Sequence, residues 1–94
     1  MKLRWTAPAI RQLHAIHAYI AADNPAAADR TVALIRASLQ RIALLPYSGR
    51  SGRRSGTREL VIPATTYLAA YRIANDEVHV LAILHGAQDW PPQL

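Results

Sequence analysis

The sequence predicts an α+β domain in which a helical hairpin packs on a curled antiparallel sheet, in the order β-α-α-β-β-β. Three observations predict it. Two stretches of the first half repeat apolar residues at spacings of three and four. The second half holds short apolar runs bounded by Pro63 and by Asn75-Asp76. A Ser/Gly/Arg-rich loop separates the halves. A chain of 94 residues has room for one hydrophobic core, so residues 1–94 are read as one domain.

Leu3 to Trp5 has the length and character of a short strand. Thr6 is placed to cap a helix, with Pro8 in the first turn, where its missing N–H costs little. Ile10, Leu13, Ile16 or His17, and Ile20 then form one apolar stripe. Asn24-Pro25 ends that helix and starts the next, Asn24 as cap and Pro25 at the first helical position. Ala28, Val32, Ile35, Leu39 and Ile42 make the seam of the second helix, which Pro46 closes. Residues 46–57 read as a loop throughout. Arg58 to Ile62 and Tyr67 to Ala74 follow as strands, and Asn75-Asp76 makes a tight hairpin turn. In the last strand Val78, Val80, Ala82 and Leu84 alternate with His79, Leu81, Ile83 and His85. Both rows contain apolar residues, which predicts a central strand covered on each face. If the first strand joins the sheet, it lies at an edge or beside a later strand, and the pattern leaves both open.

Composition limits the function classes. Hydrophobic residues are 51% and charged residues 18%, which excludes a disordered chain. The absence of cysteine excludes a disulfide framework and a thiolate metal site, and fits the cytoplasm. Met1 to Trp5 has no signal-peptide character, and the longest apolar stretch is broken by Arg36, Gln40 and Arg41, so no membrane contact is expected. The formal charge is +5, and of 11 basic residues only Lys2 is not arginine. Arginine forks suit phosphate and carboxylate, so the partner is acidic, a nucleic acid or an acidic protein segment. A generic basic surface is the plainer alternative.

Arg50, Arg53, Arg54 and Arg58 lie close together among Gly and Ser, a context that lets guanidinium groups converge on one anion or simply face solvent. His14 and His17 have a chelating helical spacing but no helpful third ligand, so neither a metal nor a cofactor is expected. His85, at a strand end, is either an acid–base group or a hydrogen-bonded structural residue. Tyr67 and Tyr71 share a strand face as core aromatics, and Arg72 on the other face is expected to pair with Glu77 or Asp76. No nucleophile–base pair, paired carboxylates or phosphate-binding glycine loop is apparent.

Three segments together resemble the RelE/ParE toxin superfamily, and its ParE branch in particular. They are the hairpin broken at Asn24-Pro25, the run Arg58-Glu59-Leu60-Val61-Ile62-Pro63 with Tyr67-Leu68-Ala69-Ala70-Tyr71-Arg72-Ile73, and Val78 through Pro91. The resemblance implies the RelE/ParE-like fold and a type II toxin–antitoxin module. It implies a cognate antitoxin as partner, bound as a hetero-oligomer. The ribonuclease branch places arginines where this chain has Leu68 and Gln88. Without them, charge on a scissile phosphate lacks preorganised stabilisation. The resemblance therefore implies poisoning of DNA gyrase by binding, with nucleic-acid contact only indirect or weak. The expected partner-binding residues are Arg50, Arg53, Arg54, Arg58, Gln88 and Trp90. Trp90, in an aromatic tail with Pro91 and Pro92, either meets a partner or docks on its own helices. One alternative is a ribosome-dependent mRNA endonuclease that uses Arg58, Arg72 and His85. The other is a non-toxic binding protein of the same fold.

Overall fold

A computed structural model describes residues 1–86, arranged as strand β1 (Lys2–Trp5), helices α1 (Ala7–Ala21) and α2 (Pro25–Leu44), and strands β2 (Arg50–Ser51), β3 (Arg58–Val61), β4 (Tyr67–Ala74) and β5 (Glu77–His85). The five strands form one sheet in the order β1-β5-β4-β3-β2, with the helical hairpin on one face.

Both helices begin where their caps demand. The Thr6 hydroxyl oxygen accepts the Ala9 N–H at 3.4 Å while its O–H donates to the Val80 carbonyl at 2.7 Å. One side chain thus caps α1 and fastens its start to the sheet. Asn24 accepts the Ala27 N–H at 3.0 Å, and Pro25 opens α2. His17 Nε2 lies 2.8 Å from Asp29 Oδ1, linking the hairpin's two arms at the surface.

The sheet is antiparallel from β2 to β5, but β1 adds in parallel, with Lys2 opposite Glu77 and Trp5 opposite Val80. The Thr6 N–H continues this ladder to the Val80 carbonyl at 3.1 Å, so the strand runs into the helix cap along β5. The stretch read as loop over 46–57 is also more ordered than its composition suggests. Pro46–Ser48 is a 3-10 turn, and Arg50–Ser51 pairs with β3 as an edge strand.

The main core lies between the helices and the sheet. Ala9 and Leu13 of α1 and Ile35 and Leu39 of α2 meet Ile62, Ala69, Val80 and Ile83. Ile42 meets Tyr71 and Val78. The opposite sheet face carries a second buried set, Leu68, Ala70, Ala82 and Leu84. β5 is therefore central and buried on both faces, as its composition predicts.

Its alternation, however, changes phase. Ala70 pairs with Ala82 and the next residue, Tyr71, pairs with Val80, which leaves Leu81 as the extra residue of a β-bulge. Val78 and Val80 consequently face the helices with Ile83, while Ala82 and Leu84 turn to the other face. The single row read from Val78 to Leu84 is split in two, because an inserted residue inverts every side chain beyond it. Near this shift the Ile83 N–H donates to Gln12 Oε1 of α1 at 2.8 Å.

Asn75 and Asp76 both have positive φ, 53° and 57°, as the tight hairpin turn requires. The ion pair expected across that hairpin is replaced by another. Glu77 Oε2 is held by Arg4 Nε at 3.0 Å, and His79 Nε2 lies 3.2 Å from Oε1. Parallel addition of β1 brings Arg4 to Glu77 first, and Arg72 stands exposed opposite His79.

Candidate functional site

The candidate surface grows from Tyr71, which is fully buried in mid-sheet. Its hydroxyl donates to the Pro46 carbonyl at 2.7 Å and accepts the Gly49 N–H at 3.0 Å. Burial pushes this phenol above its ordinary pKa, against the pull of the Gly49 N–H and the Arg58 charge. A methyl group on residue 49 would sit 2.3 Å from the Tyr71 hydroxyl oxygen, so only glycine allows this approach.

Arg58 lies opposite Tyr71 in the β3–β4 register and holds the same turn from the other side. Its Nη1 donates to the Tyr47 carbonyl at 3.1 Å and the Gly49 carbonyl at 2.8 Å. The guanidinium carbon lies 5.1 Å from the centre of the Tyr47 ring, within cation–π range. The arginine is therefore fixed in orientation. Beside it opens a hollow of about 360 Å³ lined by Tyr47, Ser51, Gly56, Thr57, Arg58 and Ile73. Tyr47 also borders a second, largely apolar hollow with Leu44, Leu45 and Pro46. Leu44, Leu45 and Tyr47 are 79%, 67% and 65% exposed and form an apolar ridge at the surface.

The loop arginines are organised by a residue that sequence reasoning passed over. Glu59 is only 2% exposed, and its carboxylate accepts the Arg53 N–H at 2.9 Å. Arg50 Nη2 and Arg53 Nε lie 3.4 Å and 3.5 Å from its oxygens. Gly52 donates to the Thr57 carbonyl at 2.8 Å, and the Thr57 hydroxyl donates to the Arg54 carbonyl at 2.6 Å. Arg50, Arg53 and Arg58 do not gather round one outward point. Arg50 and Arg53 turn to Glu59, Arg58 turns to the 46–49 turn, and Arg54 contributes its carbonyl to the loop. The available signal was Glu59 itself, an acidic residue at a strand position whose neighbours across the loop are cations.

The endonuclease set is likewise dispersed. Arg58 sits at the Tyr71 level on the helix side of the sheet. Arg72, the next residue along β4, projects from the other face. His85 sits at the Tyr67 level, packed edge-on against that ring at 5.8 Å between centroids. Four residues of strand separate the Tyr71 and Tyr67 levels, roughly 13 Å at strand spacing. Gln88 and Trp90 lie outside the described residues. His14 is exposed, and among the described residues no group of three metal-ligating side chains is present. No helix among them is long and apolar enough to cross a membrane.

Residues 3–90 match the family model described as ParE toxin of type II toxin–antitoxin system, parDE. The chain is 45% identical over 93 residues to the proposed toxin Y4kP of Sinorhizobium fredii, covering 99% of this chain and 96% of that one. It is 33% identical over 84 residues to toxin RelE2 of Caulobacter vibrioides, covering 89% and 93%. Among solved structures it resembles a chain of the chromosomal ParDE toxin–antitoxin system of P. aeruginosa, with a TM-score of 0.80, 26% identity, and coverage of 90% and 95%.

Proposed function

The chain belongs to the ParE toxin family of type II toxin–antitoxin systems, and from this premise we propose that it arrests growth by binding DNA gyrase, without cutting RNA. A cognate antitoxin neutralises it in the cytoplasm. The observation that supports a binding mode of action is the dispersal of Arg58, Arg72 and His85 over two faces and two levels of the sheet. Phosphodiester cleavage needs donors preorganised round one phosphate. Leu68, where the ribonuclease branch carries an arginine, is 3% exposed in the second-face cluster, so a cation there would have to be buried among apolar side chains.

Features suited to a protein partner support the same reading. The apolar ridge at Leu44, Leu45 and Tyr47 adjoins the hollow beside Arg58, and among the described residues β1 and β2 are the sheet's edge strands, the places where a strand can add. The net charge of +5 favours an acidic antitoxin. The name RelE2 carried by a relative makes ribosome-dependent cleavage the reading to test against. Purified toxin should inhibit supercoiling by gyrase and leave mRNA intact on translating ribosomes. Cleaved mRNA with normal supercoiling would reverse the assignment.

A further inference from the structure

We propose that the hollow bounded by Tyr47, Ser51, Thr57 and Arg58 is a carboxylate-binding site, which receives an acidic side chain of a protein segment lying along the apolar ridge. The identity of that segment rests on the acidic-antitoxin reading above; the site itself does not.

The argument starts from the donors of Arg58. Both hydrogen bonds to backbone carbonyls come from Nη1. The Nε and Nη2 edge makes no hydrogen bond among the described residues. That edge is the fork geometry that grips a carboxylate or a phosphate with two parallel bonds. Its orientation is set in advance by the two carbonyls and by the Tyr47 ring, so little rotamer freedom remains to be lost on binding. Ser51 adds a hydroxyl to the wall, while the Thr57 O–H is committed to the Arg54 carbonyl, and Ile73 and Tyr47 add apolar groups.

The choice of carboxylate over phosphate follows from the neighbours. A phosphate backbone is held by several cations at once. Here Arg50 and Arg53 are drawn to the buried Glu59, and Arg58 is the one arginine among the described residues that line the hollow. What adjoins Arg58 is apolar, namely Tyr47 with Leu44, Leu45 and Pro46. One fixed fork beside an apolar ridge matches a peptide that carries an acidic residue next to hydrophobic ones.

The test is an NMR titration of the full chain with glutarate and, separately, with uridine monophosphate. The Arg58 Nε–H and the Gly56 and Thr57 amides should shift saturably with glutarate, at an affinity about tenfold better than for the nucleotide. Arg58→Lys should weaken glutarate binding by about tenfold. If that variant unfolds, Ser51→Asp keeps Arg58 and places a carboxylate at the mouth of the hollow; it should abolish the response in a folded protein. A stronger response to the nucleotide would overturn the proposal. So would equal shifts at every arginine, or an unaltered response in Ser51→Asp. Gyrase inhibition is read in a separate assay, so a silent hollow in an inhibitory protein sinks this site and leaves the proposed function standing.

Discussion

Replacing Tyr71 by Phe removes one oxygen and strands one buried and one half-buried backbone group. The Pro46 carbonyl loses its donor at 2.7 Å and the Gly49 N–H loses its acceptor at 3.0 Å. The Gly49 N–H admits no easy rescue by water, because Tyr71 is 0% exposed and Gly49 is buried. A lost neutral hydrogen bond that strands a buried group costs about 1–3 kcal/mol. Since Arg58 still holds the Gly49 carbonyl, we expect the lower part of the combined range, about 2 kcal/mol. For a chain of this length the whole folding free energy is about 5–14 kcal/mol, so the loss is a substantial fraction. The midpoint of thermal unfolding should fall by about 8–16 °C. Tyr67→Phe is the control, with an expected change near zero. Calorimetry gives the stability, and amide exchange at Gly49 locates the defect. A fall of only about 2 °C with Gly49 exchange unchanged would mean that the 46–49 turn is held by Arg58 alone.

Two further substitutions probe the sheet. Gln12→Leu should cost about 1–2 kcal/mol in urea unfolding, because the Ile83 N–H beside the bulge loses its acceptor, and Ile83 exchange should quicken. Glu77 is held below the ordinary carboxylate pKa, first by the hydrogen bond from Arg4 and then by that from His79. A depressed folded pKa gives stabilisation that is present above the ordinary carboxylate range and lost as the pH falls through the folded value. The stability gap between the native chain and Glu77→Gln should therefore be small at neutral pH, since the pair is exposed, and should close on acidification. A gap that widens toward acid would refute the assignment.

The sequence exposed the elements that repeat a pattern and concealed those fixed by a single contact. The seam from Ala28 to Ile42 and the caps Thr6 and Asn24 are local statements, and both helices start where they indicate. β1 is too short for its direction to leave a trace, because parallel and antiparallel pairing of four residues present the same side chains. The bulge at Leu81 is invisible for a related reason. Every residue from Val80 to Leu84 is apolar, so a change of phase removes no hydrophobic position. Glu59 illustrates the limit for the site. A charged residue reads as exposed, and only the fold brings Arg50 and the Arg53 N–H across to bury it. Tyr71 was legible as a core aromatic, but its two backbone partners lie more than twenty positions upstream.

β5 lies between β1 and β4, and both helices pack on it. Its pairing joins Lys2 to Glu77, residues from opposite ends of the described chain. During synthesis, the hairpin emerges long before any surface exists to cover its apolar seams. A nascent or truncated polypeptide lacking residues 77–85 has no central strand on which to assemble, and waits as an open, chaperone-accessible chain. Such long-range closure is slow relative to local helix formation. Translation therefore delivers the folded domain only after residues 77–85 have emerged, and until then the helices have no sheet to pack on.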